Sequence, residues 1–161
     1  MHFSFSYFKF LVSATNQHGV HSPFIYAFVT KCLYAKKKYS TLKSVNVLLK
    51  MIDYFQISEI NISKEEVAKE IQTKFPNIKI NNTSTYLWYI ANLKDEALKK
   101  LIIANEFHND SIVFIDSIYK NKNAWQELIQ LEKIKVSVDL YDCGILFFRR
   151  EQVKEHFKIR I

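Results

Sequence analysis

Two segments in the first third of the chain carry apolar residues at intervals of three or four, the period of an amphipathic helix. They are residues 22 to 35 and residues 44 to 55. The first begins with Ser22, a favourable N-cap, followed by Pro23, whose missing N–H would be unpaired at the first helical position anyway. The sequence therefore predicts two helices with apolar faces formed by Phe24, Phe28, Cys32, Val45, Leu48, Leu49, Ile52 and Phe55.

Strand-like and helix-like patterns alternate after residue 56, which is typical of a three-layer α/β domain. Ser63 and Glu66 have the spacing of a capping box at the start of a helix. The last two predicted strands are joined through "DCG", residues 142 to 144, and we expect them to form an antiparallel hairpin. The predicted strands are residues 57–63, 77–80, 85–91, 111–116, 136–141 and 144–150, and the predicted helices are residues 64–75, 95–107 and a segment around 123–132.

Length and composition predict one domain. The chain has 161 residues, of which 48% are hydrophobic, and this is enough apolar material for a single core. We found no repeat, linker or change of composition that would mark a second domain. The prediction is therefore a single domain over residues 1–161, with a helical part over 1–55 and an α/β part over 56–161.

Cysteine usage and apolar runs predict a cytoplasmic protein that does not cross a membrane. Cys32 and Cys143 lie far apart and form no disulfide framework, which fits a reducing compartment. Lys9 interrupts the apolar N-terminal stretch, so a signal peptide is not predicted. No apolar run has the length of a membrane span.

Charge and glycine content limit the possible ligands. The net charge is +7, but the lysines are scattered apart from the run at residues 36 to 38, so the sequence does not predict a nucleic-acid stripe. The chain contains two glycines, Gly19 and Gly144. A glycine-rich turn that lets the backbone approach a phosphate is therefore absent from the sequence.

Residues 16 to 34, "NQHGVHSPFIYAFVTKCLY", group two histidines, a glycine and a proline, although the whole chain has only two glycines and two prolines. His18, His21 and Cys32 match no common zinc spacing and would lack a fourth ligand, so no metal site is predicted. We expect residues 16 to 24 to be structural, with the loop from His18 to His21 packing the following helix against the sheet.

Three segments carry a resemblance to a known family. Residues 16 to 39, "NQHGVHSPFIYAFVTKCLYAKKKY", are similar to the N-terminal signature of a group of bacterial class I S-adenosylmethionine-dependent methyltransferases. "NDSIVFIDSIYKNKNAW" (109–125) resembles the family's fifth strand and following helix, and "GILFFRREQVKEHFKIRI" (144–161) resembles its C-terminal end. The resemblance implies an α/β fold: a reduced Rossmann-like methyltransferase sheet with N-terminal helices and a C-terminal antiparallel strand pair.

The resemblance also implies which residues stand at the cofactor positions. In the family the first strand ends in an acid followed by glycines, so that the backbone can approach S-adenosylmethionine. Here Glu59 corresponds to that acid, whereas Asn61 and Glu65 stand where the glycines would be. Asparagine tolerates left-handed backbone, but Glu65 adds bulk and negative charge near an anionic group of the cofactor.

This sequence also differs from the family at later cofactor positions. The neutral run "NNTST", residues 81 to 85, replaces the acid that would bind the ribose, and Ala91 replaces the acid after the fourth strand. Asp116 is kept after the fifth strand, and Tyr119 stands at the family histidine. The vestigial cofactor set is therefore Glu59, Asn61 and Asp116. The alternative for Glu59 and Asp116 is that each caps a helix or faces solvent.

The chain is also short between the predicted strands at 77–80 and 85–91. A parallel crossover usually takes a dozen or more residues, so we predict that these two segments are not parallel strands on opposite sides of the first strand. The family's third strand is expected to be missing.

Three functions remain open. The first, which we favour, is a shortened, catalytically inactive methyltransferase homologue that binds or assembles with a partner and holds no cofactor tightly. The second is an active methyltransferase that uses S-adenosylmethionine in a site completed by a homo-oligomer or an intact methyltransferase relative. The third is a basic nucleic-acid-binding module, although its many aromatic residues are more simply explained as core.

Overall fold

A computed structural model describes residues 5–80, 86–93, 96–104 and 106–161 of the protein. Within these ranges, seven strands form one mixed sheet in the order β2-β1-β3-β4-β6-β5-β7. They are β1 (Glu59–Asn61), β2 (Lys79–Ile80), β3 (Leu87–Ile90), β4 (Ile112–Asp116), β5 (Val136–Asp139), β6 (Cys143–Phe147) and β7 (Glu155–Lys158).

Helices cover both faces of the sheet, which gives the three-layer α/β arrangement predicted from the sequence. They are α1 (Phe5–Ser13), α2 (Pro23–Phe28), which continues as a π-helical turn (Val29–Leu33), α3 (Lys43–Tyr54), α4 (Glu65–Lys74), α5 (Ala97–Ile103) and α6 (Lys122–Gln130). The apolar sides of α2, α3 and α4 join one buried cluster with the sheet, and those of α5 and α6 join a second cluster on its other face. None of the helices in the described ranges has the length and apolar character that crossing a membrane requires.

Strand directions agree with a Rossmann-like α/β fold. β2, β1, β3 and β4 run parallel to one another, and β6 lies antiparallel to both β4 and β5. The predicted C-terminal hairpin is confirmed, because Asp139 pairs with Gly144 next to the turn. The fold expected from the sequence is therefore confirmed at the level of an α/β sheet with N-terminal helices and a C-terminal antiparallel pair.

The prediction about the short connection was wrong. β2 and β3 are both parallel to β1 and lie on its two sides. Ile80 and Leu87 both pair with Ile60, so the connection needs to cover only two strand spacings, about 10 Å, and no strand length. The usual length rule assumes a crossover that returns along a full strand, and β2 has two residues. Residues 81 to 85 of this connection lie outside the described residues.

The predicted capping box is also wrong. α4 begins at Glu65 with Lys64 as its N-cap residue, and no side chain forms a capping hydrogen bond there. Ser63 therefore lies one position too early to accept a hydrogen bond as the N-cap.

The segment at residues 16 to 24 has the structural role predicted for it. The side chain of Ser22 accepts a hydrogen bond from the backbone N–H of Ile25, at 3.4 Å, and donates one to Gln152, at 3.1 Å. Val20 is buried, whereas His18 and His21 are exposed, so the loop packs through its valine.

Replacing Ser22 by alanine is expected to lower the free energy of unfolding by about 1 kcal/mol, because the first turn of α2 loses its capping oxygen. Urea unfolding of the purified protein measures the change. Ser22→Thr keeps a hydroxyl that can accept the same bond and is the matched control. A midpoint in Ser22→Ala equal to that of the wild type would contradict the capping role.

The strand at the end of the sheet next to β5, β7, was not predicted from the apolar pattern of the sequence. β7 is an edge strand parallel to β5, and of its four residues Phe157 is buried. Beside it, the N–H of Thr15 donates to the carbonyl of Lys158 at 2.8 Å, and the N–H of Arg160 donates to the carbonyl of Thr15 at 3.0 Å. The two ends of the described chain are thus joined by main-chain hydrogen bonds.

Candidate functional site

An open cleft of about 490 Å³ lies where the parallel strands end, between β4 and the starts of α3 and α4. Ligands of open α/β sheets bind at this edge, beyond the carboxyl ends of the strands. The cleft is lined by Leu42, Lys43, Ser44, Val45, Lys64, Glu66, Val67, Glu70, Asp116, Ser117, Tyr119 and Asp142.

Asp116 is the central carboxylate of this cleft and is 8% exposed. One of its oxygens accepts a hydrogen bond from the hydroxyl of Tyr89 at 2.9 Å and lies 3.7 Å from the ammonium group of Lys64. Its other oxygen accepts a bond from the hydroxyl of Ser117 at 3.3 Å. Both carboxylate oxygens are therefore bound by side chains of the protein itself.

Tyr89 acts as a neutral donor in this network. Burial, and then the nearby charge of Asp116, raise the pKa of Tyr89 far above its usual value. A phenol held in this state keeps its proton at any physiological pH and cannot serve as a base.

The residues before α4 close the cleft on the other side. Lys64 is the N-cap residue of α4, and its side chain extends to Asp116. Glu66, in the first turn of α4, also lines the cleft. Glu65, the acid expected to obstruct the cofactor, instead pairs with Lys69 at 2.7 Å in an exposed position.

The structure does not bring the three predicted cofactor residues together. Glu59 begins β1 and forms an ion pair with Lys79, at 3.6 Å. Following the strand register, Glu59 and Asp116 lie five residues apart along the strand direction, about 16 Å. Asn61 ends β1 half-buried beside Trp88 and does not line the cleft. Of the predicted set, Asp116 lines the cleft.

The other positions named from the sequence are placed as follows. Ala91 follows β3 and is half-buried. Tyr119 lines the cleft and stacks on Tyr141, with ring centroids 5.3 Å apart. Residues 81 to 85, expected to lack the ribose acid, lie outside the described residues.

Several charged contributors to the cleft were not predicted from the sequence, among them Lys43, Lys64, Glu70 and Asp142. Asp142, in the turn of the C-terminal hairpin, pairs with Lys43 at the start of α3, at 3.4 Å. The lining residues include the acids Glu66, Glu70, Asp116 and Asp142 against the bases Lys43 and Lys64. The cleft is therefore more acidic than the chain as a whole, and the sign of its charge could not be read from the overall value of +7.

Neither cysteine is suited to nucleophilic chemistry. Cys32 and Cys143 are both buried and free. Burial raises the pKa of the Cys32 thiol to about 12, and burial followed by the charge of Asp116 raises the pKa of Cys143 well above its usual value. Both side chains remain thiols at neutral pH. Within the described ranges, no three histidine, cysteine or acidic side chains gather as a metal site.

Comparison with protein-family models, curated proteins and solved structures gives no match.

Proposed function

We propose that the protein is a shortened class I S-adenosylmethionine-dependent methyltransferase homologue that has lost catalysis and acts as a binding or assembly module in the cytoplasm. The observation that carries this proposal is the network of Lys64, Asp116 and Tyr89 at the carboxyl edge of the sheet. In the family that the sequence resembles, this edge receives the cofactor.

Two features of the cleft oppose cofactor binding. Lys64 and Tyr89 already bind the carboxylate of Asp116. A ligand hydroxyl would therefore have to replace the ion pair with Lys64 and the hydrogen bond from Tyr89. Glu66 and Glu70 add negative charge to the wall that a methionine carboxylate would approach. Removing a partner from a buried polar group costs about 1 to 3 kcal/mol, so this exchange is unfavourable.

A role in assembly is supported by the outer face of α1. Phe5, Phe8 and Val12 follow one another at helical spacing and are 73%, 61% and 74% exposed. Phe10, on the opposite side of the same helix, is buried against Tyr141. A helix that is anchored on one side and apolar on the other is suited to contact a second copy of the chain or an intact methyltransferase relative.

The test is isothermal titration of the purified protein with S-adenosylmethionine. We expect a dissociation constant weaker than about 1 mM, which corresponds to about 4 kcal/mol of binding free energy. The double variant Lys64→Gly with Glu66→Gly removes both side chains from the cleft wall, and we expect it to stay equally weak because the ribose still lacks an acid.

Thermal unfolding of both proteins serves as the control that each is folded during the titration. A micromolar dissociation constant for the wild type would overturn the proposal and favour the active methyltransferase. Tight binding by the double variant alone would instead show that Lys64 and Glu66 are the whole obstacle.

A further inference from the structure

A second cavity, of about 470 Å³, lies at the opposite edge of the sheet, where β4 and β5 begin and β6 ends. We call it the amino-edge cavity. Its lining residues are Ile102, Phe107, His108, Asn109, Glu132, Lys133, Lys135, Phe148 and Arg150. Small-molecule sites in proteins usually enclose about 300 to 1,000 Å³, and this cavity falls in that range.

Three cations reach the amino-edge cavity from two separate loops. Lys133 and Lys135 come from the connection between α6 and β5, and Arg150 comes from the connection between β6 and β7. Among the described residues, no carboxylate forms an ion pair with Lys135 or Arg150. The cavity lining contains one carboxylate, Glu132, so its net charge is positive.

Hydrogen bonds fix the loop that carries Arg150 and engage Glu151, the acid next to it in sequence. The side chain of Asn109 accepts a bond from the backbone N–H of Arg150 at 2.9 Å and donates one to Glu151 at 3.0 Å. Glu151 is also bound to Arg149 at 2.7 Å. The pKa of Glu151 is lowered to about 2, mainly by the hydrogen bond from Asn109. Glu151 is thus committed to other partners.

Lys133 is held at the cavity wall as well. Its ammonium group donates a hydrogen bond to the carbonyl of Ile103 at 2.7 Å, which fixes the end of the side chain against the last turn of α5. An ammonium group has three protons, so two remain for a ligand. The cationic side of the cavity is therefore partly preorganised.

Part of the remaining wall is aromatic and apolar, and His108 and Asn109 complete it. Phe107 and Phe148 stack with their ring centroids 4.9 Å apart and their planes within 9°. Trp88 packs edge-on against Phe107 behind this pair, at 5.2 Å. A ligand that fits both sides of the cavity has an anionic end and a flat, less polar body.

We propose that the amino-edge cavity binds a small phosphorylated ligand with a planar group, of the size of a nucleoside monophosphate. Arg150 and Lys135 bind the phosphate, since guanidinium and ammonium groups are the usual partners of phosphate oxygens. The planar group lies on the side of Phe107 and Phe148. This site is at the other edge of the sheet from the Asp116 cleft, and the inference does not depend on the proposed function.

The test is isothermal titration of the full chain with adenosine 5′-monophosphate, with inorganic phosphate and adenosine titrated separately. We expect the monophosphate to bind more tightly than either part and its affinity to fall as salt is raised. Arg150→Ala and Lys135→Ala should each weaken binding at least tenfold, because each removes a charge-assisted hydrogen bond to the phosphate. Lys38→Ala makes the same change of charge outside the cavity lining and should leave binding unchanged.

Several results would overturn the proposal. They are no heat of binding at millimolar monophosphate, equal loss in Lys38→Ala, or full binding by the Arg150→Ala protein. Binding of a 5′-phosphorylated oligonucleotide without binding of the monophosphate would favour a nucleic-acid surface instead. Lys135→Arg keeps the charge and should retain binding, which separates a lost contact from a folding defect in Lys135→Ala.

Discussion

Replacing Phe28 by alanine is expected to lower the free energy of unfolding by about 3 to 5 kcal/mol. Its side chain is fully buried in the cluster that α2, α3 and α4 form with the sheet, where its ring lies 5.6 Å from those of both Phe55 and Phe147. Phe147 belongs to β6, an inner strand of the sheet, so Phe28 joins α2 to the sheet directly. Alanine would leave a cavity at the point where the N-terminal helices and the sheet meet.

Urea unfolding followed by circular dichroism measures this loss. Tyr26→Ala, on the same helix but 48% exposed, is the matched control and should stay within about 0.5 kcal/mol of the wild type. A loss below about 1 kcal/mol for Phe28→Ala would mean that α2 does not pack on the sheet as described.

Replacing Gly144 by alanine is expected to destabilise the protein by about 1 to 3 kcal/mol through overpacking. A Cβ atom on Gly144 would lie 2.6 Å from two ring carbons of Trp125 and 3.1 Å from a methyl group of Ile118. Trp125 is a buried residue of α6, so the missing side chain allows this helix to lie directly on β6. The indole cannot move away without opening the cluster that α5 and α6 form on this face of the sheet.

A double-mutant cycle with Trp125→Phe tests the cause. Phenylalanine lacks the two ring carbons that would collide, so Gly144→Ala should cost markedly less in the Trp125→Phe background, with a coupling energy of about 1 kcal/mol or more. Both backgrounds are compared by chemical unfolding. Equal costs in the two backgrounds would show that the effect of Gly144→Ala comes from the backbone and not from the indole.

The sequence could predict those elements whose apolar period is long and regular. α2 and α3 were found because a buried face repeats every three or four residues, and the Ser22–Pro23 pair marks the start of α2. β4 and β6 were found because every residue in them is buried, which gives continuous apolar runs. In these places local preference and tertiary packing favour the same structure.

The errors occurred where tertiary contacts decide the structure. β7 has one buried residue, Phe157, and is held by its main-chain bonds to β5, which leave no trace in the side-chain pattern. The connection from β2 to β3 depends on the register at Ile60, which no sequence pattern reports. Register also decides the candidate site, because it places Glu59 at one end of the sheet and Asp116 at the other.

The partners of Asp116 could be predicted least. Tyr89 lies at a buried position of β3, where buried and half-buried residues alternate, and such a position is usually read as core. Lys64 is one of many scattered lysines, and its contact with Asp116 exists because β1 and β4 bring the two loops to the same edge. An ion pair between side chains 52 positions apart in sequence has no local signature.

The hydrogen bonds between Thr15 and the strand near Ile159 also govern the order of events during synthesis. On the ribosome, residues around Thr15 emerge early but have no main-chain partner until Lys158 and Arg160 have been translated. β5 likewise has no outer neighbour until β7 is available, and an unpaired edge of this kind promotes association between chains. The native sheet is therefore completed after translation of this region, and a released chain that stops before residue 155 would keep the outer edge of β5 unpaired.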